Sequence, residues 1–187
     1  MPRFAVIDTE TNWGDRVMSI GTVIADWDGF AAVDTKYHVL TPEYLVGGMF
    51  EGTLFSDPRQ APVLCSRDQA LRELQAWFAD YGVDTIFAYN ANFDCSHLPE
   101  LKQMHWFDIM RLAAYRQFNP GIPESADCFS TGRLKRGYGV EPMLRLLSRN
   151  RSYHETHNAL HDALDELEIM RLLGHPLATY IPLKNER

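Results

Sequence analysis

The hydrophobic pattern of the first 65 residues predicts three strands and a long loop. Residues 3–10, 17–26 and 33–40 are short runs rich in β-branched and aromatic residues, and only short connections separate them. Runs that follow one another this closely typically pair as an antiparallel meander. Residues 41–65 are rich in Gly and Pro and have no sustained period, so we expect a surface excursion there.

The pattern changes to a helical period at Ser66. Ser66 and Gln69 form a capping box, apolar residues then recur at helical spacing, and Gly82 ends the helix. The rest of the chain mixes short apolar runs with helical segments. We expect strands over 85–89 and 106–109, helices over 110–118, 142–149 and 158–173, and a loop over 119–139.

The order of these elements predicts the fold class. Hairpin strands followed by alternating helices and strands are typical of a mixed sheet covered by helices, an α/β sandwich. The chain of 187 residues contains no linker, internal repeat or low-complexity tract. We therefore expect a single domain over residues 1–187.

Composition excludes several classes of protein. No apolar run approaches the length of a membrane span, and the N-terminus lacks a secretory pattern, so we expect a cytoplasmic protein without a membrane partner. Cys65, Cys95 and Cys128 are widely spaced and include no C-x-x-C pair. They predict small buried thiols in a reducing compartment and neither a disulfide framework nor a zinc site.

The charge is unevenly distributed along the chain. The net charge is −7, but residues 133–151 contain six basic residues and one acidic residue. A local basic patch suits contact with phosphates, and our candidates for that contact are Arg133, Lys135 and Arg136. A solvated helix face next to a basic loop explains the same pattern equally well.

Two carboxylates, Asp8 and Glu10, stand at the end of the first strand. Residues two apart in a strand point to the same side, so both converge where a buried strand would carry apolar residues. Like charges at this spacing repel, and an oxygen-binding cation such as Mg²⁺ or Mn²⁺ makes the pair tolerable. A solvated strand end with two acids is the alternative.

Two further acids lie where they could join this pair. Asp94 follows the strand at 85–89, at the end where open α/β sheets place their sites, although an acid at a helix N-terminus is also favoured by the dipole. On the last helix, Asp162 lies at the margin of the apolar stripe and is the acid expected to face the sheet. His161 and Asp165 have i, i+4 spacing and are best explained as a surface pair.

A histidine precedes Asp162 by five positions. At about 100° per residue the two cannot share a face if both are helical, so we expect His157 in the connection before the helix, with Thr156 or Asn158 near the cap. A loop histidine beside a metal cluster is suited to take a proton from water near neutral pH.

Together these residues resemble the three motifs of the DEDDh, or DnaQ-like, 3′-to-5′ exonucleases. The motifs are D-x-E at Asp8 and Glu10, N-x-x-x-D ending at Asp94, and H-x-x-x-x-D from His157 to Asp162. The resemblance spans residues 3–175, and residues 106–112 are similar to the family's strand-to-helix step. It implies the RNase H-like fold, a mixed five-stranded β-sheet flanked by α-helices on both faces.

The resemblance also implies a mechanism with two Mg²⁺ or Mn²⁺ ions. Asp8 would bridge both ions, Glu10 and Asp162 would hold the first, and Asp94 would hold the second. His157 would act as general base. The enzyme would cleave the terminal phosphodiester of single-stranded or frayed DNA or RNA and release 5′-mononucleotides.

Expected partners are nucleic acid 3′ ends, with a polymerase subunit or a second copy of the chain as candidate protein partners. Within the motifs we expect Thr9, Thr11 and Asn90 to contact substrate. Trp13 and Phe93 are suited either to base stacking or to the core. Two other functions stay open: a catalytically silent nucleic-acid-binding or polymerase-associated module, and a phosphohydrolase of small phosphoesters, which would need no basic patch.

Overall fold

A six-stranded mixed sheet organises the protein, which is described over residues 2–183 by a computed structural model. The strands are β1 (Arg3–Thr11), β2 (Val17–Asp26), β3 (Ala32–Leu40), β4 (Val63–Cys65), β5 (Thr85–Ala88) and β6 (His105–Asp108). The helices are α1 (Arg67–Tyr81), α2 (Asn92–His97), α3 (Met110–Ala113), α4 (Val140–Ser148) and α5 (Ala159–Leu173).

Strand β1 lies inside the sheet, in the order β4-β3-β2-β1-β5-β6. Strands β1 to β3 form the predicted antiparallel meander, and β5 pairs with β1 in parallel. Because β1 and β5 run in the same direction, their carboxyl ends open at the same edge of the sheet. The acids predicted to act together lie at this edge.

Apolar residues fill both faces of the sheet. Alternate residues of β1 divide between them: Phe4 and Val6 join the core under α4 and α5, whereas Ala5 and Ile7 join the core under α1. The caps of α1 are the predicted ones, since the Ser66 hydroxyl accepts from the Gln69 N–H and Gly82 is left-handed. The sequence therefore predicted the fold class correctly: a mixed sheet with helices on both faces.

The strand count differs from the expectation of five. Residues 41–65 are not only an excursion, because Val63–Cys65 adds to the edge of the sheet as β4, parallel to β3. Two 3₁₀ turns, Glu43–Val46 and Glu51–Thr53, precede it. Three residues are too few to show an alternation of apolar and polar positions, which explains why the pattern gave no strand here.

The helix predicted over 110–118 ends at Ala113. Tertiary contacts interrupt it, because the Asn119 side chain donates to the Ala113 carbonyl and the Ala114 carbonyl accepts from the Leu134 N–H. Tyr115 forms a bridge with Arg133. The loop that follows therefore supplies hydrogen bonds that a continued helix would have made within itself.

The cysteines and the hydropathy agree in part with expectation. All three thiols are free, and Cys65 is buried as predicted. Cys95 and Cys128 are only half-buried, since they lie on the short helix α2 and in the long loop. Within residues 2–183 no helix has the length and hydropathy needed to cross a membrane.

Candidate active site

Asp8 and Glu10 lie at the carboxyl end of β1 on the face that packs against α5. Their register partners in β2 are Gly21 and Ser19. Gly21 brings α5 close to this strand: a Cβ atom at that position would lie 2.1 Å from the Ala159 carbonyl. The helix backbone thus occupies the space of the missing side chain, beside Asp8.

Asp94 reaches the same edge from β5. Asn90 has a positive φ of 64°, which makes the sharp turn from β5 into α2. Asp108 fixes this turn, since its Oδ1 accepts from the backbone N–H groups of Asn90 at 3.1 Å and Met110 at 3.0 Å. The buried carboxylate of Asp108 is therefore a structural anchor for the strand ends.

Thr9 orients Asp94. Its hydroxyl donates to Asp94 Oδ1 at 2.8 Å, and both side chains are buried. Thr9 was expected to contact substrate, but the structure commits its hydroxyl proton to this carboxylate.

Helix α5 brings the third motif to the site. Asn158 is the N-cap, and its side-chain oxygen accepts from the N–H groups of Leu160 and His161. Asp162 is in the first turn and is 3% exposed, as the helical pattern predicted. His157 lies in the preceding connection, also as predicted, with a left-handed φ of 52°.

These residues converge in space. Glu10, His157 and Asp162 each place one ligand atom within 4.8 Å of the others. Asp94 and Asp162 both act electrostatically on Asp8, whose Oδ2 atom is buried and has no hydrogen-bond partner in the described part of the chain. The five residues predicted to carry the chemistry are thus brought to one edge of the sheet.

Burial disfavours negative charge on all four acids, and repulsion by other carboxylates adds to this effect at Asp8, Glu10 and Asp162. Burial, followed by the charges of Asp94, Asp162 and Glu10, raises the pKa of Asp8 well above its usual value. Burial and nearby carboxylates raise the pKa of Glu10 to about 8 and that of Asp162 to about 9. The pKa of Asp94 rises to about 7 because of burial, against the lowering effect of its bond from Thr9.

The sequence did not point to two further acids, Glu155 and Glu166. Glu155 raises the pKa of both Glu10 and Asp162 by its charge. Glu166 is 1% exposed, its Oε2 has no partner, and burial followed by the charge of Asp8 raises its pKa strongly. Glu166 is four residues after Asp162 and so shares its helix face, a signal that the sequence did contain.

The donor set fits hard divalent cations. Asp8 Oδ2 and Asp162 Oδ1 are buried oxygens that no group within residues 2–183 satisfies. Carboxylate oxygens are the ligands that Mg²⁺ and Mn²⁺ prefer, and a bound cation would favour the ionised form of each acid.

Residues 50–57, which we call the strap, cross the connection that carries His157. The Phe50 ring stacks on the His157 imidazole, with ring centroids 4.0 Å apart and 17° between the planes. The Thr53 hydroxyl donates to the His157 carbonyl, and the Thr53 carbonyl accepts from the Asn158 side chain at 2.9 Å. No pattern in residues 50–57 predicts that this loop reaches the site.

The predicted surface pair of His161 and Asp165 is wrong. His161 Nε2 lies 3.2 Å from Asp57 Oδ2 in the strap, and Asp165 accepts from the Tyr153 hydroxyl instead. The i, i+4 spacing brought the two residues to neighbouring positions, but each has a partner from another segment. His161 therefore links the strap to α5.

The basic candidates have unequal freedom to bind phosphate. The Arg133 guanidinium lies over the rings of Phe129 and Tyr138, at 5.1 and 5.4 Å from their centroids. Lys135 Nζ pairs with Asp127 at 2.9 Å. Arg136 is exposed, and no ion pair is found for it within residues 2–183.

The loop that carries Arg133, Lys135 and Arg136 contacts the residue that follows β5, because the Tyr89 hydroxyl donates to the Tyr138 carbonyl. Two aromatic side chains, one after the first motif and one within the second, are exposed and not in the core: Trp13 is 69% exposed and Phe93 is 38% exposed. Of the remaining expected contacts, Asn90 is exposed and Thr11 is half-buried.

Comparisons by sequence find no relative: no protein-family model matches the chain, and no curated protein matches it. Comparison of structures does find similar proteins. The nuclease domain of 3′hExo, a DEDDh family member bound to rAMP, is 16% identical with a TM-score of 0.63, over 96% of this chain and 95% of that one. Exonuclease X in complex with 5′ overhanging duplex DNA is 21% identical with a TM-score of 0.57, over 92% and 93%.

A third similar structure is E. coli Exonuclease I in complex with a dT13 oligonucleotide. It is 14% identical with a TM-score of 0.62, and the match covers 96% of this chain and 42% of that one. At sequence identities this low, the structural similarity establishes the fold alone. The chain has the RNase H-like fold of the DEDDh 3′-exonucleases.

Proposed function

We propose that this protein is a metal-dependent 3′-to-5′ exonuclease that removes 5′-mononucleotides from single-stranded or frayed DNA or RNA. One observation carries the proposal: Asp8, Glu10, Asp94, Asp162 and His157 converge at the carboxyl ends of β1 and β5. The structurally similar proteins include one bound to a DNA oligonucleotide and one bound to rAMP. A binding module has no need of buried carboxylates that repel one another.

The four acids would hold two Mg²⁺ or Mn²⁺ ions. Asp8, Glu10, Asp94 and Asp162 would supply their carboxylate oxygens as ligands. When bound, the ions supply neutralisation of the carboxylates, activation of water and stabilisation of charge at phosphorus.

The side chains of the protein position and move the reacting groups. His157 would take the proton of the attacking water, so that a P–O bond forms to the terminal phosphate and the bond to the 3′-oxygen of the penultimate nucleotide breaks. That oxygen leaves, takes up a proton from solvent water and becomes the 3′-hydroxyl of the shortened strand. Trp13 and Phe93 offer exposed rings on which terminal bases could stack, and Arg136, which is exposed and has no ion pair within residues 2–183, offers a cation for the backbone.

The test uses matched 5′-labelled DNA and RNA oligonucleotides, with Mg²⁺, with Mn²⁺ and with EDTA. We expect a product ladder that shortens from the 3′ end and disappears with EDTA. His157→Ala should lower kcat by about 10² to 10⁴, the scale of a lost general base, whereas His161→Ala should lower it by at most a few-fold. Full activity in EDTA, or a larger loss in His161→Ala, would refute the assignment.

A further inference from the structure

The third motif, which contains His157, supplies no group that orients the His157 imidazole. Histidines that take protons are usually oriented by a hydrogen bond from a third group. Within residues 2–183 no side chain hydrogen-bonds to the imidazole nitrogens of His157. Its left-handed φ of 52° is uncommon for a residue other than Gly, so surrounding structure must hold it.

The strap supplies these constraints. The Thr53 hydroxyl holds the His157 carbonyl, which fixes the backbone, and the Phe50 ring covers one face of the imidazole, which fixes the plane of the ring. The edge of the imidazole stays within 4.8 Å of the carboxylate oxygens of Glu10 and Asp162.

The strap is itself anchored to the sheet. Tyr37 of β3 donates its hydroxyl to the Leu54 carbonyl at 3.0 Å, and Leu54 is 1% exposed. The Asn158 side chain donates to the same Tyr37 hydroxyl at 3.1 Å. Before the strap, a Cβ atom at Gly48 would lie 2.8 Å from the Thr11 carbonyl, so the backbone passes close to the end of β1. Phe50 is therefore held relative to the acids of β1.

We propose that Phe50 is a positioning residue that fixes the imidazole of His157 in the plane required for proton transfer. The inference rests on the proposed exonuclease function and adds to it a residue outside all three motifs. Phe50 acts through His157 and contributes no reacting group.

The size of the effect follows from the rotamers of histidine. Without the stack the imidazole can occupy three staggered χ1 wells with a roughly two-fold χ2, about six states in all. If one state is productive, kcat falls about five- to tenfold in Phe50→Ala. This loss is smaller than that of removing His157, and KM should stay within about twofold because substrate contacts are not changed.

A mutant cycle separates positioning from general damage to the fold. Phe50→Ala is compared in the wild type and in His157→Ala, where the ring to be oriented is absent and no further loss of kcat is expected. Phe50→Tyr keeps the ring and should restore kcat to within about twofold. Phe55→Ala is the matched control, since Phe55 is an exposed aromatic residue of the same strap that packs edge-on against Tyr44.

An NMR measurement tests the stack without any activity. The carbon-bound protons of the His157 ring should show a ring-current shift from Phe50, lost in Phe50→Ala and in Phe50→Leu and kept in Phe55→Ala. Phe50→Leu retains apolar bulk in case Phe50→Ala does not fold. Unchanged His157 shifts in folded Phe50→Ala and Phe50→Leu, or equal losses of kcat in both His157 backgrounds, overturn the proposal. A wild-type protein without nuclease activity but with the ring-current shift would instead refute the exonuclease function.

Discussion

Replacing Asp8 by Asn should stabilise the metal-free protein while it strongly weakens metal binding. Asp8 Oδ2 is buried without a hydrogen-bond partner, so the change sacrifices no bond to that atom. Asn keeps the shape, removes one charge from a cluster that includes Asp94 and Asp162, and places an amide donor among carboxylates. The usual cost of a mutation at a buried polar site is therefore reversed here.

Asp94 gives the scale of the effect. Its pKa rises from 3.8 to about 7 in the same cluster. For Asp94 this shift of about three units, at 1.36 kcal/mol per unit, corresponds to about 4 kcal/mol of unfolding free energy, and we expect the same order of magnitude for the charge that Asp8→Asn removes. For a chain of this length, about 2–4 °C in Tm per kcal/mol makes the expected rise about 8 to 16 °C at pH 8.

The sign depends on pH. Because the pKa of Asp8 is raised on folding, the folded protein binds a proton that the unfolded chain has lost above about pH 4, and stability falls as pH rises. Asn cannot titrate, so the advantage of the variant should be near zero at pH 4 and should grow towards pH 8.

The assay is thermal melting of both proteins from pH 4 to pH 8, in EDTA and in excess Mg²⁺. Metal at a hundred times its Kd stabilises by about 2.7 kcal/mol, or about 5 to 11 °C, and the variant should respond much less. Asp28→Asn in the exposed turn after β2 is the control for a simple change of net charge. A destabilised metal-free Asp8→Asn protein, or one with a full response to Mg²⁺, would refute the reasoning.

Two further outcomes can be stated. Thr9→Val removes the hydroxyl that donates to Asp94, so Kd for Mg²⁺, measured from the metal dependence of Tm, should rise about tenfold, the scale of a hydrogen bond to a charged group; an unchanged Kd would show that Asp94 needs no such orientation. Arg136→Glu should reduce the slope of log Kd for an oligonucleotide against log salt by about one, and Lys135→Glu by less because Lys135 pairs with Asp127. Equal slopes in all three proteins would place the phosphate contacts elsewhere.

The features that depend on local sequence patterns were predicted correctly. The meander, the caps of α1 and the position of Asp162 follow from period and capping residues, and each agrees with the structure. The convergence of the acids could be predicted because it depends on where the strands end and on which helix face is apolar. Both are local properties of the sequence.

Contacts between distant segments were not predictable in this way. Phe50 lies 107 positions before His157, in a segment without period, and nothing local marks it. The same holds for Asp57, which takes His161 away from Asp165, and for Asn119, which ends α3. Glu166 was missed for another reason: its helix face was readable, but a buried acid without a partner contradicts the ordinary preference for apolar residues.

Gly21 sets the spacing between the acids of the site, although it carries no functional group. The distance between the β1 acids and the α5 acid is set by contact of one backbone with another, because α5 occupies the place of the side chain opposite Asp8. Backbone contacts have no rotamers to sample, so this spacing resists the thermal rearrangements that loosen sites built on long side chains. The geometry of the site therefore depends on a residue without a functional group, since any larger residue at position 21 would push α5 and its acid away from β1.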